Sequence, residues 1–387
     1  MKICVISQAY PYPGIPQFTF VGEICKEMAA QGEEITVVAP QSVFRPIFRH
    51  ETRIPFKYTI PIRNGKDIVV YTPKVFSVGN LPFLGVGINH FFVQHAISKT
   101  IRKYVETDID VFYGHFFFEG FHALPEAVRR NKPIIVASGE TNVTYRKEYT
   151  KHLKEFLSQL KGVIFVSTKN KDEAIAAGLT DGSNSVVLPN SVDSKIFYQL
   201  DRNKCRESLG FSPNDFIIAF NGYFSHRKGS RRVSDAITKL EDKQIKSIFI
   251  GRSEDGEEVE PNCDGIVFKG YMDHDKLPTY LCAADIFVLP TRAEGCCNAI
   301  VEALACGLPV ISSDRKFNYD VLNDKNSILV DPDDVDAISA AIKKLKDNPQ
   351  LRESMSKASL EMAESLTIQE RAKRIISFIK QQIGIKE

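Results

Sequence analysis

The sequence predicts an α/β protein built from two doubly wound, parallel-sheet domains, and three observations carry that prediction. Apolar runs of four to seven residues recur almost from end to end without in-and-out alternation. Helical patterns separate most of them. The whole alternation then restarts after a turn containing proline and asparagine near residue 190. An uninterrupted apolar run is what a strand buried on both faces needs, and interleaved helices provide the crossovers that keep such strands parallel. A chain of 387 residues, 43% of them hydrophobic, has enough apolar side chains for two cores.

In the first domain, residues 1–190, the runs KICVIS (2–7), EITVVA (34–39), DIVVYT (67–72), DVFYG (110–114), PIIVAS (133–138) and GVIFVS (162–167) read as strands. Between them FVGEICKEMAAQG (20–32) and NHFFVQHAISKTIRKYVE (89–106) read as helices. The stretch VVLPNSVDSKIF (186–197) reads as a linker. In the second domain, residues 191–365, strands follow at DFIIAFN (215–221), KSIFIG (246–251), GIVFKG (265–270), DIFVLP (285–290), LPVISS (308–313) and NSILV (326–330). Beyond Asp333 the pattern is helical, and IQERAKRIISFIKQQIG (368–384) spaces its apolar residues three and four apart, so one face should pack. Residues 366–387 are expected to return to the first domain. Open parallel sheets bind ligands beyond the carboxyl ends of their strands, and two such sheets imply a cleft between the domains.

Composition excludes several classes. No run of 18 or more apolar residues occurs, and the chain passes from Met1 straight into a strand-like run, so a cytoplasmic protein is expected. The eight cysteines include no C-x-x-C and are expected to be reduced. Residues 1–190 carry 22 Lys and Arg against 17 Asp and Glu, and the remainder carries 28 against 31, too small an asymmetry for a nucleic-acid-binding stripe. Within the basic half, Arg45, Arg49, Arg53 and Lys57 alternate with Phe44, Ile47, Phe48, Ile54 and Phe56. That mixture fits peripheral contact with an anionic membrane surface, and equally a solvated loop with a few core anchors. No G-x-G-x-x-G follows Ser7, and no G-x-S-x-G nucleophile turn is present. The D-x-D spacings in DID (108–110) and DPDDVD (331–336) fall at a strand start and a helix N-cap, so no metal site is expected there.

Chemistry concentrates in TRAEGCCNAIVEALACGLPVISSD (291–314), where Glu294 and Glu302 bracket seven mostly small or apolar residues. On one helix they would stand about 12 Å apart along the axis, too far to share a ligand atom. A strand ending at Pro290 and a helix over 298–307 instead place Glu294 in the turn and Glu302 on the helix's second turn. Residues 295–299 then form a helix N-terminus, whose unpaired amides and dipole suit a phosphate. Glu302 could accept from a vicinal diol such as a ribose, and Glu294 from another polyol beyond the phosphates. Either carboxylate taken alone also fits an ordinary surface residue. Ribose, diphosphate and sugar in line describe a nucleotide sugar.

This stretch resembles the retaining glycosyltransferases of family four, which have the GT-B architecture and an E-x7-E motif, here Glu294 to Glu302, followed by a string like EALACGLPVI. FNGYFSHRKGSRRVSDAI (220–237) resembles the family's glycine and lysine loop on the donor diphosphate, with Gly222, Arg227 and Lys228 in it. FKGYMDHDKLPTYLCAADIFVLPTRAEG (268–295) resembles the base-binding loop, with Tyr271 and Met272, and the strand behind it, and DVFYGHFFFEG (110–120) the segment whose histidine, His115, faces the donor sugar. The resemblance implies catalytic roles for His115, Lys228 and Glu294. It implies donor contacts from Gly14, Gly222, Arg227, Lys228, Tyr271, Met272, Glu294, Gly295, Cys296, Cys297, Asn298 and Glu302. The chain departs from the family at Tyr223, where arginine is usual, at Cys296 and Cys297, where a second glycine often stands, at Ser191, and in the N-terminal loop, where only Gly14 remains of a glycine pair. Arg227 is the first candidate to replace the arginine missing at Tyr223.

The activity so implied is transfer of a hexose-type sugar from a UDP, GDP or ADP donor to a hydroxyl acceptor, without metal or other cofactor. The family implies front-face displacement, in which the leaving diphosphate takes the acceptor proton. Its members build surface polysaccharides on lipid carriers, which implies a saccharide or lipid-linked acceptor and a place on the inner face of the plasma membrane. A catalytically silent nucleotide-sugar binder and another GT-B enzyme such as an epimerase are the competing readings. In a polar loop, Lys228 is expected to contribute charge without core packing.

Overall fold

The computed structural model describes residues 1–15, 17–44, 53–76, 86–146, 151–254 and 259–385. Arg45, Ile47, Phe48 and Arg49, four of the nine residues expected to touch a membrane, lie outside the described residues. The chain divides into two compact units, one comprising Met1–Val166, Asn170–Leu188 and Ala372–Glu387, the other Ser167–Lys169 and Pro189–Arg371. No described helix is long and apolar enough to cross a membrane.

The strands of the first unit are β1 (Lys2–Ile6), β2 (Glu34–Val38), β3 (Gln41–Ser42), β4 (Lys57–Ile60), β5 (Ile68–Tyr71), β6 (Lys74–Val75), β7 (Val111–His115), β8 (Ile134–Ser138), β9 (Leu160–Phe165) and β10 (Ser185–Val187). Among the described residues, eight of them form one sheet in the order β10-β9-β8-β7-β1-β2-β5-β4, while β3 and β6 pair separately. Every pair in the large sheet is parallel except β4 with β5. The interior of β7 and β8 is buried throughout, which explains their unbroken apolar sequence. Strand β10 corrects the linker expected from residue 186: Ser185 pairs with Val163 and Val187 with Phe165. Its three half-buried residues are too few to give a periodic signal.

Helices α1 (Thr19–Ala30), α2 (Val86–Tyr104), α3 (Phe117–Arg130), α4 (Leu153–Gln159) and α5 (Thr168–Ala176) follow in chain order. Helix α3 sits close on β7, since a Cβ on Gly114 would overlap the backbone of Gly120. Phe112, Phe121, Val136, Phe156 and Phe165 fill the core beside it. Glu126 on α3, wholly buried, bonds Arg102 Nε of α2 at 2.6 Å and Arg129 at 2.7 Å, so a charged knot joins the two helices.

The second unit contains β11 (Phe216–Asn221), β12 (Ile245–Ile250), β13 (Ile266–Gly270), β14 (Ile286–Leu289), β15 (Val310–Ser313) and β16 (Ser327–Val330). They form a wholly parallel sheet in the order β13-β12-β11-β14-β15-β16. In a doubly wound sheet of this order the chain reverses its direction of winding between β11 and β14, and the crevice beyond their carboxyl ends is where ligands bind. Its helices are α6 (Arg202–Leu209), α7 (Ser230–Leu240), α8 (Leu277–Ala283), α9 (Asn298–Ala305), α10 (Val335–Asp347) and α11 (Pro349–Glu364). The last helix, α12 (Ile368–Ile383), belongs to the first unit from Ala372 onward, where Phe378 covers Gly162 and Lys380 pairs with the buried Glu33 at 3.3 Å.

Candidate functional site

At the winding reversal of the second sheet, β11 ends on Asn221 and is followed by Gly222, and β14 leads through Pro290 into the turn that carries Glu294. Gly222 has φ +155°, a conformation L side chains avoid, and a Cβ there would stand 3.5 Å from the Lys228 side chain. The loop after it therefore folds back. Arg227 Nη1 meets Glu294 Oε1 at 2.5 Å and the Ala293 carbonyl at 3.1 Å, and Lys228 Nζ meets the same Oε1 at 2.7 Å. Thr291 Oγ1 donates to that oxygen at 3.0 Å. One carboxylate oxygen thus gathers two cations at the end of the sheet.

Lys228 departs from the solvated-loop expectation, because its side chain is only 12% exposed. Burial alone would depress its amine, but Cys297 and Glu294 beside it prevail and hold it above its ordinary value, so it is an ammonium. Cys297 Sγ lies 3.8 Å from Lys228 Nζ and forms the N-cap of α9 without a side-chain hydrogen bond to the helix. Burial pushes the Cys297 thiol up, while Lys228 pulls it the other way. Cys296 is buried behind it, accepting from the Asn190 amide at 3.4 Å, and Asn190 Nδ2 reaches Asn298 Oδ1 at 2.7 Å. Gly295 is buried within the same turn.

Glu302 lies on the second turn of α9, within the second unit and only 7% exposed. Asn221 Nδ2 donates to its Oε2 at 3.2 Å, and His274 Nε2 stands 3.1 Å from its Oε1. It is no solvated surface carboxylate. Tyr271 and Met272 follow the end of β13, with Tyr271 exposed. The two remaining sequence candidates belong to the first unit. Gly14 takes φ +80° in a tight turn in which Ile15 N donates to the Tyr12 carbonyl at 2.7 Å, so its glycine is required by the turn itself. His115 ends β7, at the winding reversal of the first sheet, against Phe20 and Phe116 at ring distances of 5.2 and 4.8 Å.

Sequence reasoning missed Asn221, Asn190 and His274, whose partners lie in distant segments, and Thr291, which bonds Glu294 three residues on. Two buried carboxylates also lie near His115, and of these Glu119 carried no signal in the sequence. Glu140 caps α3, accepting from Phe117 N at 3.2 Å and from Ser138 Oγ at 2.6 Å, and burial raises its acid above the usual range. Glu119, in the first turn of α3, is pushed up to about 8 by burial, with Glu140 adding to the shift. A carboxyl whose folded value is raised contributes full stability below its ordinary range near 4.3, and loses it as pH climbs through the folded value. Glu119→Gln is therefore expected to change the melting temperature little at pH 5 and to raise it at pH 9, by roughly 2 °C or more per kcal/mol recovered. Equal effects at both pH values would contradict the burial argument. The D-x-D acids are engaged elsewhere: Asp108 and Asp110 bind Lys2 at 2.7 Å each, Asp334 caps α10, and Asp333 pairs with Arg292 at 2.7 Å.

Sucrose-phosphate synthase from Thermosynechococcus elongatus superposes with a TM-score of 0.76 over 100% of both chains, at 17% identity. HepE of Anabaena, solved in complex with UDP and glucose, superposes with a TM-score of 0.69 over 98% of this chain and 99% of its own, also at 17% identity. The family model "Glycosyl transferases group 1" matches residues 201–362, and "Glycosyltransferase Family 4" matches residues 17–195. The chain is a GT-B glycosyltransferase. Over 365 residues, 88% of each chain, the transferase is 27% identical to TuaC of Bacillus subtilis, a glycosyltransferase assigned to teichuronic acid biosynthesis. The group 1 match contains Glu294, Glu302 and the side chains that bond them.

Proposed function

We propose that the transferase belongs to the retaining enzymes of family four and moves a hexose-type sugar from a UDP, GDP or ADP donor to the hydroxyl of a saccharide or lipid-linked acceptor. The observation that carries this reading is the pairing of two carboxylates with different partners on either side of one helix N-terminus. Glu294 gathers Lys228 and Arg227, and Glu302 is held by Asn221 and His274. In this reading the amides opening α9 take the diphosphate and Glu302 takes the ribose diol. Lys228 and Arg227 offset the charge that develops on the leaving diphosphate. Arg227 then does the work of the arginine missing at Tyr223. His115 and Glu294 are proposed to act on the donor sugar, with Gly14, Gly222, Tyr271, Met272, Gly295, Cys296, Cys297 and Asn298 shaping the donor's seat.

The likeness to TuaC supports an acceptor in surface polysaccharide synthesis, and we place the enzyme in the cytoplasm on the inner face of the plasma membrane. Of the basic aromatic segment, Phe56 packs against Tyr104 at 5.0 Å, and Lys57 lies 5.6 Å over the Tyr71 ring. Two protein cations, with no metal, serve the leaving group. Release of nucleoside diphosphate from UDP-, GDP- and ADP-sugars, with and without EDTA, tests the reading. Turnover unchanged by EDTA and a product of the donor's anomeric configuration are expected. An inverted product would overturn retention, and tight donor binding without turnover in the presence of acceptor would favour a silent binder.

A further inference from the structure

Three neighbouring strands, β11, β12 and β13, end alike. Each closes on a glycine of nearly the same positive φ, Gly222 at 155°, Gly251 at 153° and Gly270 at 152°. Each glycine is followed by an exposed side chain that is aromatic or cationic: Tyr223, Arg252 and Tyr271. The glycines permit close approach of the strand ends, since a Cβ on Gly251 would overlap the Gly222 carbonyl. Pairing continues one step past them, with Phe224 N donating to the Arg252 carbonyl at 2.9 Å. The guanidinium of Arg252 consequently lies 5.9 Å from the Tyr223 ring centroid and 5.8 Å from that of Tyr271, both within cation–π range.

This ladder is not core packing, because Tyr223 is 43% and Tyr271 71% exposed. Its place in the chain indicates what it meets. Tyr223 comes two residues after Asn221, and Tyr271 three before His274, the two side chains that hold Glu302. The segments that fix Glu302 are thus the segments that carry the two rings. Where Glu302 takes the ribose, the nucleobase is one glycosidic bond further on.

We infer that Arg252, steadied by Tyr223 and Tyr271, reads the nucleobase of the donor and selects a base with carbonyl oxygens on its edge, uracil or guanine, over adenine. The inference rests on the nucleotide-donor reading above. A guanidinium has donors and no acceptor, in a fixed planar fork. Carbonyl oxygens of uracil or guanine match that fork, whereas the exocyclic amino group of adenine presents a second donor to it. The two rings hold the fork's plane before the base arrives and offer faces on which a base can stack.

Calorimetric titration of UDP, GDP, ADP and inorganic pyrophosphate into the full chain and its Arg252→Ala variant provides the test. The wild type is expected to bind UDP or GDP about tenfold or more tightly than ADP. In Arg252→Ala that preference should shrink to about twofold, with pyrophosphate affinity unchanged. Tyr271→Phe, which keeps the ring, should keep the preference, and Tyr271→Ala should weaken it. A variant Arg252→Ala that retains the preference overturns base recognition alone, as does one that loses pyrophosphate and all three nucleotides equally. Wild-type protein that binds pyrophosphate and no nucleoside diphosphate refutes the donor reading itself, and this inference with it.

Discussion

Lys228→Ala is expected to lose about 100-fold or more in turnover, the loss seen when a charge aimed at a developing anion is removed. The fold should survive. Lys228 shares Glu294 Oε1 with Arg227 and Thr291, so its removal leaves that carboxylate with two partners rather than stranded. The cost in stability is then about 1.5–3 kcal/mol, the range for a hydrogen bond to a charged group. That exceeds what a solvated loop residue would lose, because the side chain is 12% exposed. Steady-state nucleotide release measured beside a thermal melt separates the two effects. A variant that turns over at the wild-type rate would remove Lys228 from the leaving-group role.

Glu302→Gln and Glu294→Gln are expected to fail in different ways. Glu302 is fixed by Asn221 and His274 at a point that the proposal assigns to the ribose, which does not change during reaction. Its loss should weaken nucleoside diphosphate and sugar donor alike, about tenfold, and show mainly in KM. Glu294 instead gathers the two cations, at 2.5 and 2.7 Å. Neutralising it should cut kcat by about 100-fold while leaving diphosphate affinity unchanged or higher, since the cations no longer have a competing carboxylate. Calorimetry with the diphosphate decides between these outcomes. Equal losses of affinity in both variants would show that the motif has one role and not two.

Much of this arrangement was legible in the sequence, for identifiable reasons. DIFVLP gave β14 because four consecutive buried residues leave no polar position, and Pro290 stands just beyond the strand. The E-x7-E spacing placed Glu294 in a turn and Glu302 on a helix because the two cannot meet on one helix. What escaped notice lacked a local signal. Strand β4 alternates exposed and half-buried residues at the sheet margin, and β10 has three residues, so both depend on their neighbours for definition. Asn221, some 81 residues from Glu302, is an unremarkable strand-end asparagine until the sheet brings it to α9. Burial of Lys228 was hidden too, because the run RKGSRR looks solvated and only the return of the loop onto Glu294 shields it.

The margins of the large sheet bear on how the protein behaves at high concentration. An edge strand exposes a row of unpaired N–H and C=O groups, a template on which another chain can polymerise. Here β10 closes one side with three residues and β4 the other with four. Pro55 and Pro61 flank β4, and its outward positions are Lys57 and Thr59. Proline cannot donate to an added strand, and a lysine set in such a ladder would have to lose its water. Among the described residues the eight-stranded sheet thus ends on strands of three and four residues, and at β4 the flanking prolines and the lysine guard that edge against an added strand.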